Sequence, residues 1–391
     1  MMKIMKAMLL GRAHDAVVKK DLEAKLDGQK LRVKFGIDPT GPVLHLGRAS
    51  TIRRLKNLQD MGHQIVLIIG DFTARIGDAS DKTSERQPLS AEQIKANMAD
   101  YNTQLGQILD MDKVELRHNS EWLSKLPFDE IIALAQQFTV AQMIERENYA
   151  LRFKEKKPIG LHEFLYPILQ GYDSVAVKAD VEIGGTDQLF NLMAGRTVQK
   201  YYGQDPQNVL TFDLLEGADG RKMSTSWGNT IYITDAPADM FGKIMAIKDQ
   251  LIEQYYRVCT DVDEAVIKEV VRDLAAGVNP RDTKASLARE VVRIYHGDAA
   301  AEAAEAAFNR QFREGHKPED MDEQVVDKKD WDPVELLVGL KLAESKSEAR
   351  RLIAQNGVRH NDKTVAEAGL KVKSGDVIQV GKRRFVKLKV K

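Results

Sequence analysis

Two stretches of the chain combine glycine with a donor or a cation in patterns that can bind phosphate groups. In the first stretch, a buried apolar run ends near Ile37 and a turn rich in proline and glycine follows. His45 and Gly47 then stand where a helical pattern begins. Helix N-termini attract phosphate, and a glycine lets a ligand approach the backbone closely. The histidine can donate a hydrogen bond to a phosphate oxygen.

The second stretch is the loop 217–231, which reads GADGRKMSTSWGNTI and follows a late strand. Arg221 and Lys222 stand in it among glycine, serine and threonine residues. A mobile loop with a cation and hydroxyl groups can close over a polyphosphate and stabilise the charge that develops on it.

A third group of polar residues lies on one predicted helix. Tyr166, Gln170 and Asp173 are spaced at i, i+4 and i+7, which places them on one helical face. The segment GGTDQ (184–188) follows and adds a carboxylate and an amide in a tight turn. A phenol, an amide and a carboxylate on one face suit a ligand that carries an α-amino group and a phenolic hydroxyl.

The elements that would position these residues alternate between strands and helices up to about residue 235. Buried or β-branched runs predict strands, and helical patterns separate them. The predicted strands are 31–37, 64–71, 113–118 and 209–215. Strand, crossover helix and strand imply a parallel sheet, so the sequence predicts an α/β fold with a Rossmann-like catalytic domain over 1–235.

After residue 235 the strand signals stop and consecutive helical patterns predict an all-helical domain over 236–318. The polar, acidic segment 319–332 is predicted to be a linker. The final segment, 333–391, is predicted to be a small α+β domain that closes with a hairpin.

Composition bounds the class of protein. The 391 residues are 43% hydrophobic and 30% charged, as in an ordinary globular protein. The single cysteine, Cys259, excludes an intramolecular disulfide and a cysteine-based zinc site, which favours a reducing cytoplasm. The N-terminal segment lacks the pattern of a signal peptide, and the chain has no apolar run of the ~18 residues that predict a membrane span.

The formal net charge of zero hides an asymmetry along the chain. The segment 333–391 has 14 lysines and arginines against 6 aspartates and glutamates, a net charge of +8. A basic tail on an acidic body indicates a polyanionic partner for the tail.

The motifs HLGR (45–48) and KMSTS (222–226) resemble, in order and context, the two signature motifs of class I aminoacyl-tRNA synthetases. The segment LHEFLYPILQGYDSVAVKADVEIGGTDQ (161–188) resembles the tyrosine pocket of tyrosyl-tRNA synthetases in particular. The resemblance extends from about Asp15 to Lys391 and includes GDFTARIGD and HNSEWL, and the basic tail resembles an S4 RNA-binding domain.

This resemblance implies roles for individual residues. The implied catalytic residues are His45, Arg48, Lys222 and Thr225. The implied ATP-binding residues are Gly36, Asp38, Thr40, His45, Gly47, Gly185, Asp187, Lys222, Met223, Ser224 and Ser226. The implied tyrosine-binding residues are Lys34, Asp78, Tyr166, Gln170, Asp173 and Gln188. The implied RNA-binding residues are Ser345, Lys346, Arg350, Arg351 and Arg359.

The implied activity is that of a tyrosine–tRNA ligase, which forms tyrosyl-adenylate from ATP and L-tyrosine and transfers the tyrosyl group to tRNA. The resemblance also implies a homodimer and Mg²⁺ bound with ATP or pyrophosphate, for which the sequence offers no dedicated protein ligands. A buried carboxylate that binds the hydroxyl of tyrosine has no hydrogen-bond donor when phenylalanine binds instead. Phenylalanine is therefore rejected at the binding step, and no editing domain is expected.

Three motifs depart from the family pattern, at four positions in all. Arg48 stands where the first motif usually ends in a histidine, and Thr225 stands where the second has another lysine. Ala79 and Asp81 replace the usual residues after the aspartate of GDASD. Arg48 keeps a donor and adds a permanent charge, so it can partly replace the cation missing at Thr225; Arg221 is the other candidate.

Two alternatives to the ligase remain open on sequence grounds. One is a paralogue that activates tyrosine but transfers it poorly or elsewhere. The other is a non-enzymatic RNA-binding protein, which the complete set of tyrosine-pocket residues disfavours. A tryptophan-specific relative is disfavoured too, because Asp173 suits a hydroxyl group and that family lacks an S4 tail.

Overall fold

A computed structural model describes residues 2–78, 89–313, 321, 323–327, 329–361, 363–365, 369–381 and 384–390. Ala79 and Asp81, which depart from the family pattern, lie outside these residues, as does part of the predicted linker. The chain divides into two units, Met1–Glu305 and Ala306–Lys391.

A six-stranded sheet forms the centre of the first unit. Its strands are β1 (Asp15–Val17), β2 (Arg32–Ile37), β3 (Gln64–Ile69), β4 (Val114–His118), β5 (Val181–Gly185) and β6 (Asn208–Phe212). Their spatial order is β1-β6-β5-β2-β3-β4, and every pair is parallel except β1 with β6. The chain progresses outward from β2 in one direction and from β5 in the other, so a topological switch point lies between these two strands. Ligands bind outside the carboxyl ends of strands at such a point.

The predicted strands are therefore confirmed, with ends shifted by up to three residues. Strands β3 and β5 are buried along most of their length because helices cover both faces of the sheet. The helices up to residue 201 are α1 (Met2–Arg12), α2 (Lys19–Gly28), α3 (Leu46–Asp60), α4 (Ala91–Met98), α5 (Tyr101–Gly106), α6 (Ser120–Leu123), α7 (Phe128–Ala135), α8 (Val140–Ile144), α9 (Glu147–Lys154), α10 (Leu161–Ala176) and α11 (Leu189–Tyr201).

Helices follow after residue 235, as the sequence predicts. They are α12 (Pro237–Met245), α13 (Ile252–Cys259), α14 (Glu264–Ala275), α15 (Pro280–His296) and α16 (Asp298–Arg313). Arg54 on α3 donates to the carbonyl oxygens of Arg257 and Val258 at the end of α13. This contact joins the helical segment to the Rossmann-like part within the first unit. The domain boundary at residue 235 stays a prediction.

In its described residues, the second unit contains the end of α16, then α17 (Pro333–Gly339), α18 (Lys346–Ala354) and seven short strands. The strands are β7 (Glu323–Val326), β8 (Asp330–Trp331), β9 (Val358–His360), β10 (Lys363–Thr364), β11 (Leu370–Lys371), β12 (Val377–Val380) and β13 (Arg384–Val390). Five of them form a sheet in the order β10-β9-β12-β13-β7, and β8 pairs with β11. The predicted closing hairpin is confirmed as β12 and β13.

The predicted linker 319–332 is wrong where the structure describes strands in it. Strand β7 pairs in parallel with β13, with Val326 opposite Val390. Val326 is buried in the core of the second unit. This pairing joins segments about sixty residues apart in the sequence. Strand β7 is also short and shows only a weak alternation of apolar and polar residues. Local sequence patterns therefore do not predict this strand.

Candidate active site

A cavity of about 510 Å³ lies at the carboxyl ends of β2 and β5. The sequence-predicted residues that line it are Gly36, Asp38, Thr40, His45, Gly47, Arg48, Asp78, Tyr166, Gln170, Asp173, Gly185, Asp187, Gln188, Lys222, Met223, Ser224 and Thr225. The structure thus brings both phosphate-type motifs and the polar face of α10 to one cavity at the topological switch point.

The turn between β2 and α3 is held by side chains from α4 and α5. Asn97 donates to the carbonyl oxygen of Pro39 at 2.8 Å, and the hydroxyl of Tyr101 donates to that of Gly41 at 3.0 Å. Gln104 accepts from the backbone N–H of Leu44 at 2.7 Å. These bonds satisfy backbone groups that belong to no helix or strand, so the turn is fixed before a ligand binds.

His45 is the N-cap residue of α3 and packs against Gly47. A Cβ atom at Gly47 would lie 3.1 Å from Nδ1 of His45, so a larger residue would displace the ring. Burial, reinforced by the charges of Arg48 and Lys222, lowers the pKa of His45 to about 3. His45 is therefore neutral at physiological pH, and its Nδ1 is buried without a hydrogen-bond partner. It can offer phosphate a hydrogen bond but no charge.

Arg48, the departure in the first motif, is half-buried on the cavity wall. Its Nη2 donates to Oγ1 of Thr40 at 2.6 Å, and its Nη1 donates to the hydroxyl of Tyr101 at 3.2 Å and to the carbonyl oxygen of Asp38 at 3.3 Å. The guanidinium is thus fixed against the turn, with its charge beside His45.

The loop with the second motif forms the opposite wall. Lys222 forms a 2.7 Å ion pair with Asp187, and Thr225 is exposed. The turn and the loop approach each other, because a Cβ atom at Gly41 would lie 3.7 Å from Oγ1 of Thr225. The side chain of Ser226 lies outside the described part of the chain.

Arg221 is not among the residues that line this cavity. It pairs with Asp219 at 2.6 Å and stacks on Trp227, with its Cζ 4.0 Å from the ring centre. This arrangement favours Arg48 over Arg221 as the replacement for the cation missing at Thr225.

The predicted face of α10 is confirmed as a cavity wall. The hydroxyl of Tyr166 donates to Oδ2 of Asp38 at 2.9 Å, and the amide of Gln170 donates to Oε1 of Glu182 at 3.2 Å. Asp173 lies one turn further along the helix and is almost completely buried.

The carboxylate of Asp173 has two partners that the sequence analysis missed. Nε1 of Trp122 donates to it at 2.8 Å, and Nδ2 of Asn119 donates to it at 3.3 Å. Burial raises the pKa of Asp173 to about 7, although Lys34 and these two hydrogen bonds act in the opposite direction. A buried carboxyl group whose pKa is strongly raised, in a cavity, marks a functional site. Trp122 and Asn119 lie within HNSEWL, the motif that carried the only signal for them.

Asp78 and Gln188 meet at another part of the wall. Nε2 of Gln188 donates to Oδ2 of Asp78 at 2.7 Å. Arg146, which the sequence analysis also missed, places Nη2 3.8 Å from the other oxygen of Asp78. Its guanidinium stacks on the rings of Tyr149 and Phe190. Arg146 therefore places a positive charge next to the carboxylate of Asp78.

Lys34 is the one described tyrosine-pocket residue that is not among the cavity-lining residues. Its side chain is completely buried and donates to the carbonyl oxygen of Gln170 and to Oγ of Ser174. It also forms a 2.9 Å ion pair with Glu182. Lys34 thus points beneath α10 rather than into the cavity, and its predicted role in tyrosine binding stays a prediction.

The predicted RNA-binding residues lie together in the second unit. Ser345 is the N-cap residue of α18. Its hydroxyl accepts a 3.2 Å hydrogen bond from the backbone N–H of Glu348. The exposed residues of this set are Ser345, Lys346, Arg350, Arg351 and Arg359. Lys346 also forms a 3.4 Å ion pair with Glu335, and the RNA-binding role of the set stays a prediction.

Comparisons with known proteins show the family of the chain. Residues 26–313 match the family described as tRNA synthetases class I (W and Y), and residues 334–378 match the S4 domain. A tyrosine–tRNA ligase 2 of Clostridium acetobutylicum is 47% identical over 97% of this chain and 96% of its own length. A tyrosine–tRNA ligase of Thermotoga maritima is 47% identical over 92% of this chain and 90% of its own.

A solved structure shows the same fold. The tyrosyl-tRNA synthetase of Archaeoglobus fulgidus, complexed with L-tyrosine, covers 78% of this chain and 100% of its own, with a TM-score of 0.62 and 22% identity. The fold and the cavity define a class I aminoacyl-tRNA synthetase. Within that class, the chain belongs to the tyrosyl-tRNA synthetase family.

Membrane-spanning helices and metal-binding clusters are both absent from the described ranges. No helix there combines the length and apolar character that crossing a membrane requires. No three His, Cys, Asp or Glu side chains in those ranges converge in a way that could hold a metal ion.

Proposed function

We propose that this chain activates L-tyrosine with ATP and transfers the tyrosyl group to tRNA. The observation that carries the proposal is that one cavity is lined by the buried carboxylate of Asp173 and by His45 and Lys222 of the two phosphate-type motifs. An amino acid bound at Asp173 and a nucleotide bound between the motifs would therefore meet.

Recognition of tyrosine rests on the residues of α10 and their neighbours. Asp173 accepts a hydrogen bond from the phenolic hydroxyl, while Tyr166, Gln170 and Asp78 bind the α-amino group. Gln188 lies on the side of the carboxylate. Phenylalanine leaves the carboxylate of Asp173 buried without a donor from the ligand, which costs more than about 3 kcal/mol for a charged group, roughly 10² or more in affinity.

In the activation step, a carboxylate oxygen of tyrosine attacks the α-phosphorus of ATP. A new O–P bond forms, the bond from phosphorus to the bridging oxygen breaks, and pyrophosphate leaves with the electron pair. The chain positions the reactants and stabilises charge, since no covalent intermediate is needed.

The nucleotide is bound by the two motifs and the turn after β5. Gly185 and Asp187 hold the ribose. The residues that contact the remaining parts of ATP are Gly36, Asp38, Thr40, His45, Gly47, Arg48, Lys222, Met223, Ser224, Thr225 and Ser226. Neutral His45 donates a hydrogen bond, whereas Arg48 and Lys222 supply positive charge for the departing pyrophosphate. Mg²⁺ would bind together with ATP or pyrophosphate, without dedicated protein ligands.

In the second step, a hydroxyl of the 3′-terminal ribose of tRNA attacks the carbonyl carbon of tyrosyl-adenylate. An ester bond forms, the anhydride bond to the phosphate breaks, and AMP leaves with the electron pair. The exposed cations of the second unit, among them Arg350 and Arg351, bind the phosphate backbone. The chain works in the cytoplasm, where its tRNA and ATP are found and where the buried thiol of Cys259 stays reduced.

The active form is a homodimer. Exposed apolar side chains are concentrated on consecutive helices between residues 128 and 161. They are Phe128, Ile132, Val140, Leu151, Phe153 and Leu161. An exposed apolar concentration of this kind indicates a protein interface, and a second copy of the chain is the proposed occupant.

Aminoacylation of bacterial tRNA with radiolabelled tyrosine tests this function. We expect tyrosyl-tRNA to accumulate only with ATP. ATP–pyrophosphate exchange without charged tRNA would identify a paralogue with an altered transfer step. Binding of tRNA without any exchange would identify a non-enzymatic RNA-binding protein.

A further inference from the structure

A buried ion pair lies directly beneath the tyrosine-binding wall. Lys34 on β2 and Glu182 on β5 are cross-strand neighbours at the topological switch point, and Nζ lies 2.9 Å from Oε1. The two side chains are 0% and 1% exposed. An ion pair at this depth is weak evidence for stability, because two apolar residues of similar size often stabilise a fold equally well. Its position therefore points to a role in the site.

The ammonium group of Lys34 has three hydrogens and three partners. Besides Glu182, Nζ donates to the carbonyl oxygen of Gln170 at 2.9 Å and to Oγ of Ser174 at 2.8 Å. With all three donors in use, Lys34 has none for a ligand. It can act on tyrosine only through its neighbours.

Glu182 connects the pair to the ligand-facing side of α10. Its Oε1 accepts from Nε2 of Gln170 at 3.2 Å, and its Oε2 accepts from Oγ of Ser174 at 3.2 Å and from Gln207. The ion pair thus fixes both the main chain and the side-chain amide of Gln170, one turn before Asp173.

The pair also sets the electrostatic field at Asp173. The charged groups that face this carboxylate are the cation of Lys34 from β2 and the anion of Glu182 from β5. Two neutral donors also face the carboxylate of Asp173: Trp122 on α6, and Asn119 just before that helix. The lysine lowers and the glutamate raises the pKa of Asp173. The two members of the pair therefore have opposite effects on one ligand-binding group.

We propose that Lys34 is a positioning residue for tyrosine recognition, which orients Gln170 through Glu182 and supplies the positive charge beneath Asp173, the residue that accepts the phenolic hydroxyl. This inference rests on the proposed function, because it assumes that tyrosine binds against α10. It assigns Lys34 a role through its neighbours in place of a direct contact.

Calorimetric titration of the full chain with tyrosine between pH 5.5 and 8.5 tests the inference. In the wild type, the affinity rises as Asp173 ionises. In Lys34→Met, the cation is lost and the unpaired Glu182 stays, so the midpoint of this rise moves to higher pH by about one unit or more. The affinity at pH 7 then falls about five-fold or more.

Glu182→Gln gives the opposite sign and stays informative even where Lys34→Met fails to fold. It removes the anion and keeps the lysine, so the midpoint moves to lower pH although the overall affinity is reduced. A merely structural pair would not produce opposite shifts. Arg152→Met is the matched control, since it breaks another buried ion pair, with Glu163, that does not line the cavity. It lowers the melting temperature and leaves the midpoint unchanged.

The outcomes separate this inference from the proposed function. Midpoints that stay unchanged, or move in the same direction in both variants, overturn the inference while tyrosine activation stands. Opposite shifts in a protein that fails to charge tRNA support the inference and overturn the proposed transfer step. A wild type that binds no tyrosine overturns both.

Discussion

The indole Nε1 of Trp122 donates a 2.8 Å hydrogen bond to Oδ1 of Asp173. This bond directs the carboxylate from one side, while Asn119 contacts its other oxygen. Trp122 belongs to α6, after β4, and Asp173 belongs to α10, so the two residues come together only in the folded sheet. The pair defines the end of the cavity where a phenolic hydroxyl would bind.

Trp122→Phe removes this donor and keeps most of the ring. We expect tyrosine affinity at pH 7 to fall by about 1 kcal/mol, roughly five-fold, because the carboxylate loses a hydrogen bond that orients it and favours its ionised form. Equilibrium binding of tyrosine measures this loss. Trp331→Phe, in the second unit, is the control and should bind tyrosine like the wild type; an equal loss there would contradict the assignment.

The raised pKa of Asp173 predicts a pH dependence of stability. Since the carboxyl group binds its proton more tightly in the folded chain than in the unfolded one, its contribution to the free energy of unfolding is largest below about pH 4. That contribution is lost as the pH rises toward the folded pKa of about 7. The loss is on the order of 1–4 kcal/mol.

Urea unfolding of the wild type and of Asp173→Asn from pH 4.5 to 8 measures this term. The difference in unfolding free energy between the two proteins should change across this range in favour of the variant. A difference that stays constant with pH would mean that Asp173 ionises as freely in the fold as in the unfolded chain.

Arg48 and Thr225 both line the part of the cavity that holds the proposed nucleotide site. Arg48→Ala should lower the rate of ATP–pyrophosphate exchange about 10²–10³-fold, because a preorganised contact to the transition state is lost. Thr225→Lys should restore part of that rate in the Arg48→Ala background and change the wild type much less. A large gain from Thr225→Lys in the wild type would instead show that Arg48 does not replace the missing lysine.

The apolar side chains of residues 128–161 predict a dimer. Phe153 is 64% exposed, so Phe153→Asp should leave the fold intact and weaken association. Light scattering coupled to gel filtration should give twice the 43.9 kDa mass of one chain for the wild type and a lower mass for the variant. Val271→Asp, an exposed apolar position on α14, should stay dimeric. A monomeric wild type would contradict the proposal.

The exposed arginines of α18 predict a salt dependence. Each phosphate contact contributes roughly 0.7–0.9 to the slope of log K against log salt concentration. Arg350→Ala or Arg351→Ala should reduce the slope for tRNA binding by about that amount, whereas Lys20→Ala, on α2, should not. Filter binding at several salt concentrations measures the slope, and unchanged slopes in the arginine variants would exclude these contacts.

The part of the site that was predictable from sequence depends on local spacing. His45 with Gly47, and Tyr166 with Gln170 and Asp173, each lie within one turn or one helix, so a short stretch of chain determines their relative positions. The carboxyl ends of parallel strands then bring such stretches to one edge of the sheet. The cavity follows from these two rules.

The remaining features depend on contacts between distant segments. Trp122 on α6 and Arg146, the N-cap residue of α9, contact the cavity-lining carboxylates of Asp173 and Asp78, and no local pattern determines the positions of these helices. Lys34 precedes Phe35, which lines the cavity, yet its own side chain points under α10 to Gln170 and Ser174. Strand β7 joins a sheet through a partner about sixty residues away, which is why its segment resembles a linker.

Tyrosine-dependent ATP–pyrophosphate exchange by the wild-type chain is the most direct test of the central claim that one cavity holds both tyrosine and ATP. We expect the exchange to require tyrosine and to be at least about 10²-fold slower with phenylalanine. Asp173→Asn and Lys222→Ala should each reduce the exchange rate strongly. Exchange that is absent with tyrosine, or equal with phenylalanine, would contradict the account.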